Sequence, residues 1–378
     1  MKKKYLLTPG PSPVPAEVLA KEGMPIMHHR TSEFSEMFKR VEENLKEVYA
    51  TKNDVLIIAS SGTGAMEAAV FNTLSSNSKS VVCETGVFGA RWSQIIKSAG
   101  LESLVLAEEY GDPVNLATLK KTLSENNGVT AVFGTLTETS TGVVNDIQAM
   151  VEIAHEYGAI LVMDAISGIG GQEFLMDEWG VDVVVAGSQK GLMIPPGLAF
   201  ISLNERAWEL AAQSDLPKFY FDLKKYRSKV AAGQTPFTPP VSLIAGLDES
   251  LKMITQEGIQ NVWQRHQKMA VATRAAVQAL GLELFSSQPC DVVTAIKVPL
   301  GIDGGKIVKI LREKYGVSIA GGQLSMKGKI FRIAHMGYME RFDLIIGITA
   351  IEMVLKELGV DIELGKGVSV AEKHVLGW

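Results

Sequence analysis

Between residues 54 and 203 the sequence alternates short apolar, β-branched runs with amphipathic stretches, and no other feature of the chain limits its fold so tightly. The apolar runs fall at 55–58, 80–83, 103–106, 129–133, 160–163, 181–186 and 198–201, with helix-like spacing at 65–74, 90–99, 116–124 and 147–157. Strands alternating with helical patterns make βαβ units, so the expected fold is α/β: a large domain with a mainly parallel, seven-stranded sheet covered by helices. After residue 240 the texture changes. Long helical patterns at 241–256 and 259–280 precede strands at 292–298 and 329–333 and helices at 306–315 and 344–358, which reads as a smaller α+β domain. Residues 231–240, rich in Pro, Gly and Thr, read as a loop near the boundary. Residues 8–15 hold four prolines and a glycine and read as an extended arm lying on a surface. The expected division is an arm at 1–20, a large domain at 21–240 and a small domain at 241–378.

Composition removes several function classes. A length of 378 residues suits two domains. The net charge of −5 argues against general nucleic-acid binding. No apolar run approaches the roughly 18 residues of a membrane span. Lys2 to Lys4 are followed by only three apolar residues before Thr8-Pro9, too short for a signal-peptide core. Two cysteines, Cys83 and Cys290, fit a reducing compartment, so a cytoplasmic location is expected. The six histidines do not cluster with metal-ligand spacing, and no metal site is expected.

Ligands on open α/β sheets bind beyond the carboxyl ends of the strands. After 55–58 comes Ser60-Ser61-Gly62-Thr63-Gly64, a small-residue turn into a helix whose N–H groups and hydroxyls suit an anion. It lacks both the dinucleotide glycine spacing and the Gly-Lys-Ser/Thr of a P-loop. After 160–163 comes Asp164, an acid that is expensive at a buried strand end unless something pairs with it. After 181–186 comes Gly187-Ser188-Gln189-Lys190, a lysine that desolvation would turn into a nucleophile for carbonyls. Each signal alone is modest. An anion cradle, an Asp and, 26 residues later, a Lys, each at a strand end, are together the set that pyridoxal phosphate requires.

The sequence resembles the fold-type I, class V pyridoxal-phosphate aminotransferases, in particular the alanine–glyoxylate, serine–pyruvate and serine–glyoxylate group. The resemblance rests on Thr8-Pro9-Gly10-Pro11, His29-Arg30-Thr31-Ser32-Glu33-Phe34, Ser61-Gly62-Thr63-Gly64 and Glu138-Thr139-Ser140-Thr141-Gly142. It continues through Asp164-Ala165-Ile166-Ser167, Ser188-Gln189-Lys190-Gly191, Pro195-Pro196-Gly197 and Arg332-Ile333-Ala334-His335.

That resemblance implies roles. Lys190 would form the Schiff base and shuttle the proton, and Asp164 would pair with the pyridine nitrogen. Ser61, Gly62, Thr63 and Gln189 would form the phosphate cup. Phe88 would stack on the ring where the family usually has Trp, Ile166 would pack on the other face, and Ser140 would lie on the 3-oxygen side. Arg332 would grip the substrate carboxylate, with Gly10 near the side-chain pocket. Thr235 and Thr238 would complete the neighbouring subunit's phosphate site, which implies a homodimer. The implied activity is ping-pong transfer of an amino group from alanine or serine to glyoxylate or pyruvate. Three alternatives stay open: a 2-aminoethylphosphonate aminotransferase, a cysteine desulfurase-like lyase and a non-catalytic relative of the same fold.

Overall fold

A computed structural model describes residues 3–378, so Lys2 of the basic patch lies outside the described residues. The seven expected strands are β1 (Val55–Ile58), β2 (Lys79–Glu84), β3 (Leu104–Ala107), β4 (Val129–Thr135), β5 (Ile160–Asp164), β6 (Val183–Gly187) and β7 (Ala199–Leu203). They form one sheet in the order β1-β7-β6-β5-β4-β2-β3. Only β7 runs antiparallel to its neighbours.

Every residue of β1, β5, β6 and β7 is buried. Successive side chains enter opposite cores: Val55, Ile57, Leu161, Met163, Val184 and Phe200 pack on one face. Leu56, Ile58, Ile160, Val162, Val183 and Ile201 pack on the other. Burial on both faces is why these strands read as continuous apolar runs without polar alternation. Because β1, β5 and β6 run the same way, Ser61, Asp164 and Lys190 all follow carboxyl ends on one edge of the sheet.

Three helices matter for the site or the domain boundary. Helix α1 (Ser32–Tyr49) starts at Thr31, whose hydroxyl accepts from Phe34 N. Helix α2 (Gly62–Thr73) begins directly after β1, and no side chain caps its first turn. Helix α3 (Gly89–Ser98) begins after Phe88.

The change of core comes later than residue 240. Val241, Ile244, Leu247, Leu251 and Ile254 of helix α4 (Val241–Glu257) share the core of Val18, Phe34 and Val41. Helix α5 (Ile259–Ala279) sends Met269, Ala272, Ala276 and Val277 into a separate core. A three-stranded antiparallel sheet fills that second body: β8 (Val293–Lys297), β9 (Ala320–Gly321) and β10 (Ile330–Ala334), with β10 central. By packing, we place α4 with the large domain. The expected helix at 306–315 is present as Gly304–Ile310 continuing through a π-helical turn, Leu311–Tyr315.

The proline-rich arm differs from its expected place. It has no regular structure, as expected, but Leu7, Pro9, Ser12 and Pro15 are buried rather than laid on a surface. Just before it, Tyr5–Leu6 pairs in parallel with Val317–Ser318, and Leu7 enters the small-domain core. Ser12 then donates to the carbonyl of Lys190 (2.8 Å), so the arm is threaded between the two cores. Among the described residues no helix is long and apolar enough to cross a membrane.

Candidate active site

A cavity of about 100 Å³ opens at the carboxyl edge of the sheet. Ser61, Gly62 and Thr63 line it from the start of α2, Asp164 and Ile166 from beyond β5, Gln189 and Lys190 from beyond β6, and Phe88 from the start of α3. Eight of the expected residues therefore meet in one place.

Lys190 is buried, and its Nζ donates to the carbonyl oxygen of Pro9 on the arm. Burial lowers its pKa to about 8; the nearby Asp164 charge opposes this, and the Arg332 and Arg91 guanidinium groups add to it. Asp164 is also buried, and its Oδ1 accepts from Ile166 N at 2.8 Å. Burial pushes its carboxyl up to about 7 against the pull of that hydrogen bond. Gly10 sits at φ +102° with its α-carbon against the Lys190 side chain, and a Cβ there would lie 2.5 Å from Nζ. That contact and the left-handed backbone both require glycine.

The opposite wall is built by close approach. A Cβ on Gly62 would lie 2.5 Å from Ile166 Cδ1, so the start of α2 packs directly on that side chain. The uncapped N–H groups of Gly62 and Thr63 suit an anion. Two buried polar atoms on the lining, Gln189 Oε1 and Thr137 Oγ1, have no hydrogen-bond partner within the protein. Buried polar atoms are rarely left this way, so the cavity is shaped for a polar guest.

Five expected residues lie off this lining. Gly10 touches Lys190 from the arm. Arg332, on β10, is buried; its Nε and Nη2 donate to Gly321 O at 3.1 and 2.6 Å, and its Nη1 donates to Thr139 O at 2.7 Å. A guanidinium has five N–H groups, so one remains on each terminal nitrogen, a fork suited to a carboxylate. Burial lowers its pKa to about 10, with Glu138 opposing, and it stays charged at neutral pH.

Ser140 does not face the cavity: its hydroxyl donates to Glu138 Oε1 (2.5 Å) and accepts from Val87 N (3.0 Å). Thr137 and Ser167 take that stretch of the lining instead. Thr235 is buried, with its hydroxyl on Phe237 O at 2.6 Å, and Thr238 is exposed. Neither lines the cavity of its own chain. Their loop is held by Arg30, whose Nη1 donates to Gln234 Oε1 (2.6 Å) and Thr235 O (3.0 Å).

Sequence reasoning missed Arg91. It lines the cavity, donates to Thr63 Oγ1 at 3.1 Å and lies 5.0 Å from the Phe88 ring centre. The signal was present: Arg91 follows Phe88 by three positions at a helix start, which puts both on one face. Cys290, one of the chain's two cysteines, is fully buried, its thiol raised to about 11 by burial and set on Val293 O. A thiol so placed is a poor nucleophile.

A family profile described as Aminotransferase class-V matches residues 4–352. Among curated proteins, the chain is 41% identical over 377 residues to one named the small subunit of a soluble hydrogenase from Synechococcus sp. (strain PCC 6716), covering 98% of each. It is 38% identical over 377 residues to an L-aspartate–glyoxylate aminotransferase of Paracoccus denitrificans (strain Pd 1222), covering 98% of this chain and 95% of that one. Among solved structures, a ureidoglycine–glyoxylate aminotransferase from Bacillus subtilis superposes with a TM-score of 0.93 at 27% identity, covering 99% of this chain and 98% of that one. The profile spans most of the chain, and the fold superposes on that solved aminotransferase over nearly its whole length. The chain belongs to the class V aminotransferases.

Proposed function

We propose that the cavity holds pyridoxal 5′-phosphate and that the chain moves the amino group of alanine or serine to glyoxylate or pyruvate. The observation that carries this reading is the buried Lys190 amine, held near neutrality beside a buried Asp164 across a cavity with an uncapped helix start. The residues fit the cofactor. The Gly62 and Thr63 N–H groups with the Thr63 hydroxyl would hold its phosphate, and the orphaned Gln189 and Thr137 oxygens would find partners in the filled site. Phe88 and Ile166 would hold its ring between them, and Asp164 would serve the ring nitrogen.

When bound, this cofactor supplies an aldehyde for the amine and a cationic ring that withdraws electrons from the substrate's Cα. The chain does the rest. Lys190, as a free amine, would hold the cofactor's aldehyde carbon, and its Nζ would take the proton from the substrate's Cα and deliver it to the cofactor. Asp164, ionised when it faces the cationic ring nitrogen, would keep that nitrogen protonated. Arg332 holds the α-carboxylate with its two spare N–H groups, which fixes Cα within reach of Lys190. The Pro9 carbonyl, fixed by the arm, holds the amine in place before substrate arrives.

Relatives named serine–glyoxylate and alanine–glyoxylate aminotransferases favour small donors, and both aminotransferases described above are named for glyoxylate as the acceptor. The hydrogenase name belongs to the Synechococcus protein; the residues gathered here serve amine–carbonyl chemistry, and the proposal follows them. We further propose a homodimer in which Thr235 and Thr238 complete the partner's phosphate site. Their position off their own cavity, on a loop tied down by Arg30, supports that reading.

The test is the visible absorption of the protein after incubation with pyridoxal phosphate. L-Alanine or L-serine should bleach the bound band without an acceptor, and glyoxylate or pyruvate should restore it. Bleaching by L-aspartate alone would move the donor to the dicarboxylates, and bleaching by 2-aminoethylphosphonate alone would move it to phosphonates. No uptake of cofactor would end the proposal.

Two further outcomes follow from the geometry. Arg332→Ala should lower kcat/KM for the donor roughly 10–100-fold, mainly through KM, as expected for losing charged hydrogen bonds to the substrate carboxylate. Covalent capture of the cofactor should depend on pH through Lys190. The free amine reacts, so the rate should rise with pH and level off above about 8, where an ordinary lysine would keep rising to about 10.5. Stopped-flow absorbance across pH 6 to 10 reads it directly.

A further inference from the structure

Glu138 is fully buried, and the roles assigned so far do not use it. It ends the short strand Thr137–Glu138 that follows β4. Its Oε2 accepts from Phe88 N (3.0 Å) and Gly89 N (2.8 Å), the two residues that open α3. Its Oε1 accepts from Ser140 N (3.1 Å) and Ser140 Oγ (2.5 Å). Three of the four contacts are backbone N–H donors and the fourth is a hydroxyl able to donate, a set that suits a carboxylate acceptor; burial raises the pKa of Glu138 and these hydrogen bonds oppose the rise. The loop leading to Phe88 is pressed onto it: a Cβ on Gly86 would lie 2.6 Å from Glu138 Cδ and 2.4 Å from Ser140 Oγ.

The next residue faces the other way. The carbonyl of Thr139 accepts from Arg332 Nη1 at 2.7 Å. Three consecutive residues therefore hold two parts of the site that come from different domains. One is the turn that presents Phe88 to the cavity; the other is the guanidinium on β10. A fully buried carboxylate is expensive to keep, and these contacts say what it does.

We propose that Glu138 is a positioning residue: its carboxylate sets how Phe88 meets the cofactor face and, through the adjoining Thr139 carbonyl, ties that placement to the seat of Arg332. The inference rests on the reading of the cavity as a pyridoxal-phosphate site.

The test uses Glu138→Gln in the full-length protein. The amide keeps the size but turns one oxygen into an N–H donor that faces a backbone N–H in either orientation, so at least one contact is lost. Three readouts apply: the Kd for pyridoxal phosphate by absorbance titration, the induced circular dichroism of the bound cofactor, and KM against kcat for the donor. Expected are a roughly tenfold or larger rise in Kd, a weakened dichroic band and a several-fold rise in donor KM. Phe88→Ala should reproduce the Kd effect, and the double variant should add little to either single change. Glu138→Asp keeps the charge and should recover part of the loss; it carries the same test should Glu138→Gln not accumulate as folded protein.

The outcomes separate the two readings. Failure of the wild type to bind pyridoxal phosphate overturns the site assignment, and the inference with it. Normal binding by the wild type with the same Kd, dichroism and KM in Glu138→Gln overturns the inference alone. A drop in the melting temperature of the cofactor-free variant with those three readouts unmoved makes Glu138 a purely structural residue and also overturns it.

Discussion

Lys190→Ala should reduce transamination by roughly four orders of magnitude or more, the largest effect expected of any single change. Two functions leave together: the amine that captures the cofactor and the base that moves the Cα proton. The fold should survive. Removing a buried amine whose pKa is already pulled down to about 8 by burial relieves a desolvation burden, and the hydrogen-bond partner left behind among the described residues is the Pro9 carbonyl. The measurement pairs kcat with borohydride trapping and mass spectrometry. In the wild type the reduced adduct should map to Lys190, and in the variant no adduct should form while the melting temperature of the cofactor-free protein stays close to wild type. Residual activity near wild type, or an adduct on another lysine, would show that the chemistry sits elsewhere.

Asp164→Asn should lower kcat roughly 10²–10³-fold. The substitution is nearly isosteric, and the amide oxygen can still accept from Ile166 N, so the turn after β5 should hold. What disappears is the negative charge facing the ring nitrogen. The loss should therefore appear in kcat at all donor concentrations and resist rescue by added cofactor. A purely structural role would instead lower the melting temperature of the cofactor-free protein and leave kcat per bound cofactor intact. Because Asp164 lies close to Lys190, the two charges couple, and the capture-rate profile of Asp164→Asn should shift to lower pH than that of the wild type.

The large domain was legible because its strands are buried on both faces. Residues 55–58 and 160–163 have no polar alternation to confuse with a surface strand, and Asp164 directly follows the second of these runs while Lys190 lies four residues beyond the run at 181–186. An acid or a lysine at such a strand end stands out against the apolar run before it, which is why Asp164 and Lys190 could be named. Helix α1 was not among the expected helices, although Thr31 and the spacing of Phe34, Met37, Val41, Leu45 and Val48 mark it. The assignment of α4 to one domain or the other is not readable from sequence texture: it looks like the helices after it, and its shared core with Val18 and Phe34 supports placing it with the large domain.

Within the site, backbone partners were the illegible part. Nothing in the sequence says that Ser140 turns to Glu138, or that the Pro9 carbonyl waits beside Lys190. Those are contacts between segments brought together only by the finished fold, and residue type alone does not encode them.

The pairing of Tyr5–Leu6 with Val317–Ser318 has a consequence for synthesis on the ribosome. The two halves of that pair are made about three hundred residues apart, so the arm must wait, unpaired, while the whole large domain emerges and folds. Until the late strand arrives, Tyr5–Leu6 lacks its strand partner, and the Pro9 carbonyl is anchored from one side alone, through Ser12 on the Gln189 and Lys190 carbonyls. A nascent chain stalled before residue 317 would therefore carry a folded sheet with an unfinished reaction centre, and completion of the small domain is what arms it.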